Sequence, residues 1–204
     1  MNRPHKILPT ALSAFALLAV AAGPADAAKM AKFTPEGPGG EAKPKARSAQ
    51  GCENVAARAG QVSEGALAAS TVCLLNAERS ERGLRGLRVN GRLSAAAQQH
   101  TSDMVRRRYF SHTSRSGNDM GDRIRSQGYL SGARSWMLGE NLAWGSGERS
   151  TPRSIVRAWM DSPGHRRNIL TARFREIGIG VVDQAPVRTG NRGATYTTTF
   201  GSRS

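Results

Sequence analysis

From residue 66 onward, apolar positions recur at helical intervals. Leu67, Val72, Leu74, Leu75 and Ala77 fall among polar residues over 66–82 and predict an amphipathic helix stopped by Gly83. Leu84, Leu87, Val89 and Leu93 form a short apolar connection. Residues 94–108 predict a second, Ala-rich helix carrying His100 and Met104. Its end holds Arg106, Arg107 and Arg108, where cations suit the helix dipole. The chain leaves that helix through Tyr109-Phe110-Ser111-His112. A loop through Gly117 then leads to a third helix over 120–127, closed by Gly128.

The second half changes period. Residues 135–144 read as a strand containing Gly139-Glu140-Asn141-Leu142-Ala143. Thr151-Pro152 caps a helix running to Asp161, and Ser162-Pro163-Gly164 opens another turn that contains His165. Over 176–183, Ile177, Ile179 and Val181 alternate with Gly178 and Gly180, as a strand requires. Residues 194–201 are rich in Thr and Tyr, and the Gly/Arg loop between the two segments predicts a hairpin. Helices mostly first and strands mostly last favour an α+β fold over a doubly wound α/β fold.

The amino-terminal 50 residues follow neither period. Arg3 and Lys6 precede an apolar run over 7–22. Gly23-Pro24 breaks it, and Ala25-Asp26-Ala27 supplies small residues for cleavage. This predicts a secretory signal peptide over 1–27; the run is short for a membrane span, so no span is expected after cleavage. Residues 28–50 are Pro, Gly, Lys and Glu with few large apolar side chains, a composition that predicts a disordered linker. A disulfide-linked extension over 51–65 and one globular domain over 66–204 complete the expected organisation, with a monomer as the expected state.

Composition changes the picture in two places. Cys52 and Cys73 are the only cysteines, and in an exported chain an even pair predicts a bond, two buried thiols being the alternative. Net charge is +15, which raises nucleic acid as a partner. All five lysines lie at or before Lys45, however, and every later Lys-or-Arg position is Arg. A phosphate-reading surface has no reason to exclude lysine, so the excess reads as coding bias, with adhesion to anionic envelope polymers alongside.

Four stretches, LLNAERSERGLRGLRVNGRLSAAAQQHTSDMVRRRYFSHTS, GENLAWGSG, AWMDSPGHRRNIL and FREIGIGVV, occur in an order and spacing that resembles the bacterial branch of the CAP superfamily (cysteine-rich secretory protein, antigen 5, pathogenesis-related-1; the SCP domain). The resemblance runs from about Thr71 to Gly201. It implies an α-β-α sandwich with a small antiparallel sheet between helical layers, and one cleft lined by His112, Glu140, the Asp161-Ser162 pair and His165. Plant and animal members carry a second glutamate three residues after the tryptophan; here that place holds Ser162, with Asp161 beside it. The departure weakens any acid–base scheme that needs two carboxylates.

Two converging imidazoles make a site for zinc or another borderline divalent cation, with a glutamate orienting a histidine or a metal-held water. Each residue also has a structural alternative: His112 bonded to its own loop, Glu140 bracing the Asn141 segment, His165 on the surface of a helix turn. His100 matches no motif and reads as a surface or satisfied helix residue. Trp136, Trp144 and Trp159 read as core, Ser146 as a turn residue, and the arginine runs as solvated faces. The expected function is a secreted, non-catalytic module binding a metal ion, a small lipid-like ligand or an envelope component. A metal-dependent peptidase-like hydrolase, with His112 and His165 on the metal and Glu140 as base, is the alternative.

Overall fold

The computed structural model describes residues 51–204; the expected signal peptide and linker lie outside them. The elements are α1 (Glu64–Ser80), β1 (Arg88–Val89), α2 (Gly91–Arg107), α3 (Met120–Ser126), β2 (Trp136–Ser146), α4 (Pro152–Asp161), α5 (Pro163–Leu170), β3 (Glu176–Val182) and β4 (Gly193–Arg203). Two helices start earlier than their apolar pattern. Ser63 accepts from the Ala66 amide ahead of α1, and Asn90 accepts from the amides of Arg92 and Leu93 ahead of α2. In each case the cap recruits polar residues that the pattern omitted.

The sheet order is β1-β3-β4-β2, an α+β arrangement. β3 and β4 pair antiparallel, as the hairpin reading expected, and β2 pairs antiparallel with β4, Glu140 opposite Thr199. The sheet is not wholly antiparallel. β1 lies parallel to β3, with the Arg88 amide donating to the Arg175 carbonyl and the Asn90 amide to that of Ile177. This strand is two residues long, inside what reads in sequence as a connection.

Period two sorts the sheet's faces. On one face Ile177, Val181, Tyr196 and Phe200 join Leu67, Leu75, Ile155, Trp159 and Ile169 in the main core under α1, α4 and α5. On the other, Gly178 and Gly180 let α2 lie directly on β3. A Cβ at Gly178 would collide with the backbone of Leu93 and Ser94, and one at Gly180 with that of Ala97 and Gln98. The alternating glycines are therefore packing positions. A smaller core of Leu93, Ala96, Ile124 and Tyr129 joins α2 to α3.

The disulfide Cys52–Cys73 is formed, joining the extension to α1. The Arg153 amide donates to the Val55 carbonyl, and Ala59 N–H to Ser150 Oγ. Trp159 is 1% exposed and donates to the Leu142 carbonyl, but Trp136 is 51% exposed at the end of the edge strand, contrary to its reading as core. Arg79, fully buried, donates to the carbonyls of Arg85, Ile169, Thr171 and Phe174 and fastens the turn between α5 and β3. Among the described residues no helix is long and apolar enough to cross a membrane.

Candidate functional site

Glu140 stands in the middle of edge strand β2 with its side chain almost wholly buried. It faces the layer of α2 and α3, and both carboxylate oxygens are occupied. His112 Nδ1 lies 2.8 Å from Oε1, and Arg123 Nη2 lies 2.8 Å from Oε2. A carboxylate can only accept, so His112 carries its proton on Nδ1 and its Nε2 remains bare when the ring is neutral. His112 itself is half exposed. Arg123 is buried and also donates to the Asn118 carbonyl and Ser114 Oγ.

The loop that presents His112 is held from beneath. Arg108 takes a left-handed conformation at the end of α2. Tyr109 O–H donates to Asp103, and His100 Nε2 donates across 2.9 Å to the Ser111 carbonyl. His100 is 1% exposed, so it is no surface residue; it anchors the backbone next to His112. Its Nδ1 is buried without a partner.

Asn141, next to Glu140, points through the strand to the other layer. Its Nδ2 donates to the His165 carbonyl and its Oδ1 accepts from Asn168, whose amide also donates to the Glu140 carbonyl. Asn168 and Trp159 thus cap two carbonyls of β2 and tie α5 and α4 to it. His165 is half-buried in the first turn of α5. Burial pushes its pKa down, and the charge of His112 pushes it further the same way. His112 and His165 therefore feel one another across β2, one from each helical layer.

Asp161 does not join them. α4 buries Ile155, Val156 and Trp159, which leaves Asp161 largely in solvent, 3.9 Å from Arg157. Ser162 caps α5 through its backbone and makes no side-chain cap bond. Among the described residues no group of three or more His, Cys, Asp and Glu is arranged to hold a metal. The donors left for one are the two imidazoles. Arg123 escaped the sequence reading, and His100 was read without its link to the loop that carries His112. The one available signal for Arg123 was its place one turn into α3, next to buried Ile124.

A further cavity lies elsewhere among the described residues. About 920 Å³ of mainly apolar space opens beside the disulfide, between α1, Val89 and Ile179.

The CAP, cysteine-rich secretory protein family model matches residues 72–199. The uncharacterized protein YkwD of Bacillus subtilis is 38% identical over 116 residues, 57% of this chain and 42% of that protein. The uncharacterized membrane protein YlbC of Bacillus subtilis is 30% identical over 108 residues, 53% of this chain and 29% of that one. This chain thus spans less than half the length of either relative. A crystal structure of an extracellular protein containing a SCP domain, from Bacillus anthracis, superposes with TM-score 0.53 at 26% identity, covering 69% of this chain and 44% of that chain. An outer surface protein of Borrelia burgdorferi shares the fold at TM-score 0.52 and 22% identity, over 65% of this chain and 90% of that chain.

Proposed function

The chain belongs to the CAP, cysteine-rich secretory protein, family, and from that premise we propose that it is an exported, non-catalytic binding module whose His112–Glu140–His165 cleft takes a divalent cation. The observation that carries this reading is the double engagement of Glu140 by His112 and Arg123. A carboxylate that accepts on both oxygens from buried or oriented donors is a positioning group. It fixes the His112 tautomer and turns a bare Nε2 outward, the outer-shell arrangement that metal-binding histidines use. Burial holds His165 toward its neutral form, the form that ligates.

Two imidazoles without a third protein ligand suit an open, exchangeable zinc-type site completed by water or by a ligand's own donor. When bound, the ion would supply Lewis acidity to that ligand. His112 and His165 would hold it, Glu140 would orient His112, and Arg123 would compensate Glu140. Hydrolysis is the weaker reading, because a general base needs a free carboxylate oxygen facing the water it activates.

Export rests on the charged start, apolar run and small-residue site of residues 1–27, on the disulfide, and on the extracellular description of the Bacillus anthracis protein. Elemental analysis of the purified, untagged protein after zinc loading and gel filtration tests the reading. Retained zinc that disappears in the His112→Ala/His165→Ala variant supports it. Equal zinc in that variant defeats it.

A further inference from the structure

The strand directions gather arginines at one end of the sheet. β1 runs parallel to β3, and β4 runs antiparallel to both β3 and β2, so the starts of β1, β3 and β2 lie beside the end of β4. Arg88 opens β1, Arg175 immediately precedes β3, Arg203 closes β4, and Arg134 lies just ahead of β2. Main-chain bonds join the row: the Arg88 amide donates to the Arg175 carbonyl, the Arg175 amide to that of Gly201, and the Arg134 amide to Ser204. With neighbouring strands about 4.8 Å apart, the row spans about 15 Å.

Buried Arg79 extends it. Its guanidinium donates to the carbonyls of Arg85, Thr171 and Phe174, which holds the turn carrying Arg85 against the turn carrying Arg173 and Arg175. Those partners are carbonyls, so the Arg79 charge adds to the row instead of being cancelled. Arg85, Arg88, Arg134, Arg173, Arg175 and Arg203 are all exposed. The side chains of Arg85, Arg134 and Arg173 make no ion pair or hydrogen bond among the described residues. The side-chain carboxylate on the row is Glu176, opposite Arg88 and already bonded to Asn90 and the Tyr129 hydroxyl. Counting a terminal carboxylate at Ser204 as well still leaves a positive excess. Trp136, paired in register with Arg203, is 51% exposed and is the one aromatic among the exposed large hydrophobic residues described.

We propose that this end of the sheet is an adhesion surface for a linear anionic glycopolymer, a sugar- or polyol-based chain charged through phosphodiester or carboxylate groups. Guanidinium forks take either anion bidentately. The exposed indole offers a flat apolar face to the C–H face of a sugar. A single-stranded nucleic acid calls for successive aromatic platforms, and a bilayer surface for several apolar side chains; the row supplies one indole. The surface rests on the exported location proposed above and shares no residue with the cation cleft.

The test titrates the purified chain with polyglycerol phosphate, polygalacturonate and oligothymidylate at equal charge concentration and fixed ionic strength. Calorimetry reads affinity, and tryptophan emission reads place. At least one glycopolymer should bind saturably and shift the emission, and Trp136→Phe should abolish the shift. The tighter of the two assigns the charge to phosphodiester or carboxylate. Arg88→Gln/Arg134→Gln/Arg173→Gln should lower affinity about tenfold or more, at roughly two- to fivefold per exposed charge contact. Arg106→Gln/Arg153→Gln/Arg188→Gln makes the same charge change off the row and should lower it less than about threefold. No binding of either glycopolymer, tighter binding of oligothymidylate, a shift that survives Trp136→Phe, or equal losses in the two triple variants each overturns the proposal. Zinc retention, measured on the same row variant, should be unchanged, so failure here is separable from failure of the cation site.

Discussion

Replacing Arg123 with methionine should expose how the cleft is held. The guanidinium is 6% exposed and its partner carboxylate 3%, at 2.8 Å. Methionine keeps most of the volume and removes the charge. Glu140 then remains buried with its negative charge answered only by half-exposed His112, and the Asn118 carbonyl loses its donor. Breaking a buried pair from one side costs about 3–5 kcal/mol, chiefly because an uncompensated charge is left behind. With a urea m-value of roughly 2 kcal/mol/M for a domain of this size, the unfolding midpoint should fall by about 1.5–2.5 M. The double variant Arg123→Met/Glu140→Gln removes both charges and should recover about 2 kcal/mol or more of that loss. Urea unfolding followed by tryptophan fluorescence, with the disulfide intact, reads both numbers. A single variant losing less than about 1 kcal/mol, or strictly additive losses in the double, would refute the clamp.

Three further outcomes follow from the packing. Trp159→Ala should cost about 3–5 kcal/mol, since the indole is buried and bonded to Leu142; an unchanged melting curve contradicts the α4 register. Replacing Cys52 and Cys73 with serine should cost about 3 kcal/mol through the loop they close, read as a lower urea midpoint; equal midpoints would show that the cross-link constrains nothing. Stability should also fall on acidification. His100 has a folded pKa below its unfolded value, so the unfolded chain binds more protons. The stability is complete above about pH 6.5 and is lost as pH falls through the folded pKa. Burial lowers that pKa first and the charge of Arg123 after it, while Glu140, the bond to Ser111 and Asp103 oppose them. Urea midpoints at neutral and acid pH check this, and His100→Gln should flatten the difference; a wild-type midpoint independent of pH contradicts it.

What was legible in the sequence depended on whether the signal was local. Thr151-Pro152 and the apolar spacing after it gave α4 to within a residue, Ser162-Pro163 gave the start of α5, and the Ile177/Ile179/Val181 alternation gave β3. The order of four motifs was enough to point to the family. Local patterns failed wherever a polar group owed its place to a distant partner. Arg79 meets carbonyls about 90 residues away, and Arg123 meets a carboxylate on another element. His100 read as a surface or satisfied helix residue; it is buried and satisfied at Nε2, by an acceptor on the loop beyond the helix end that no local pattern shows. β1 was invisible because two residues carry no period and its partner lies in β3. Asp161, adjacent in sequence to the expected site, was carried into solvent by the helix that buries Trp159.

Two imidazoles, one of them aligned by Glu140, are proposed to form a cation site. Zinc titration calorimetry on wild type, His112→Ala, His165→Ala and Glu140→Gln tests this most directly. Wild type should show single-site binding, and either histidine variant should lose that heat. Glu140→Gln should bind about 10- to 100-fold more weakly, as loss of an orienting partner produces. No binding by wild type, or the same isotherm from His112→Ala and His165→Ala as from wild type, would contradict it.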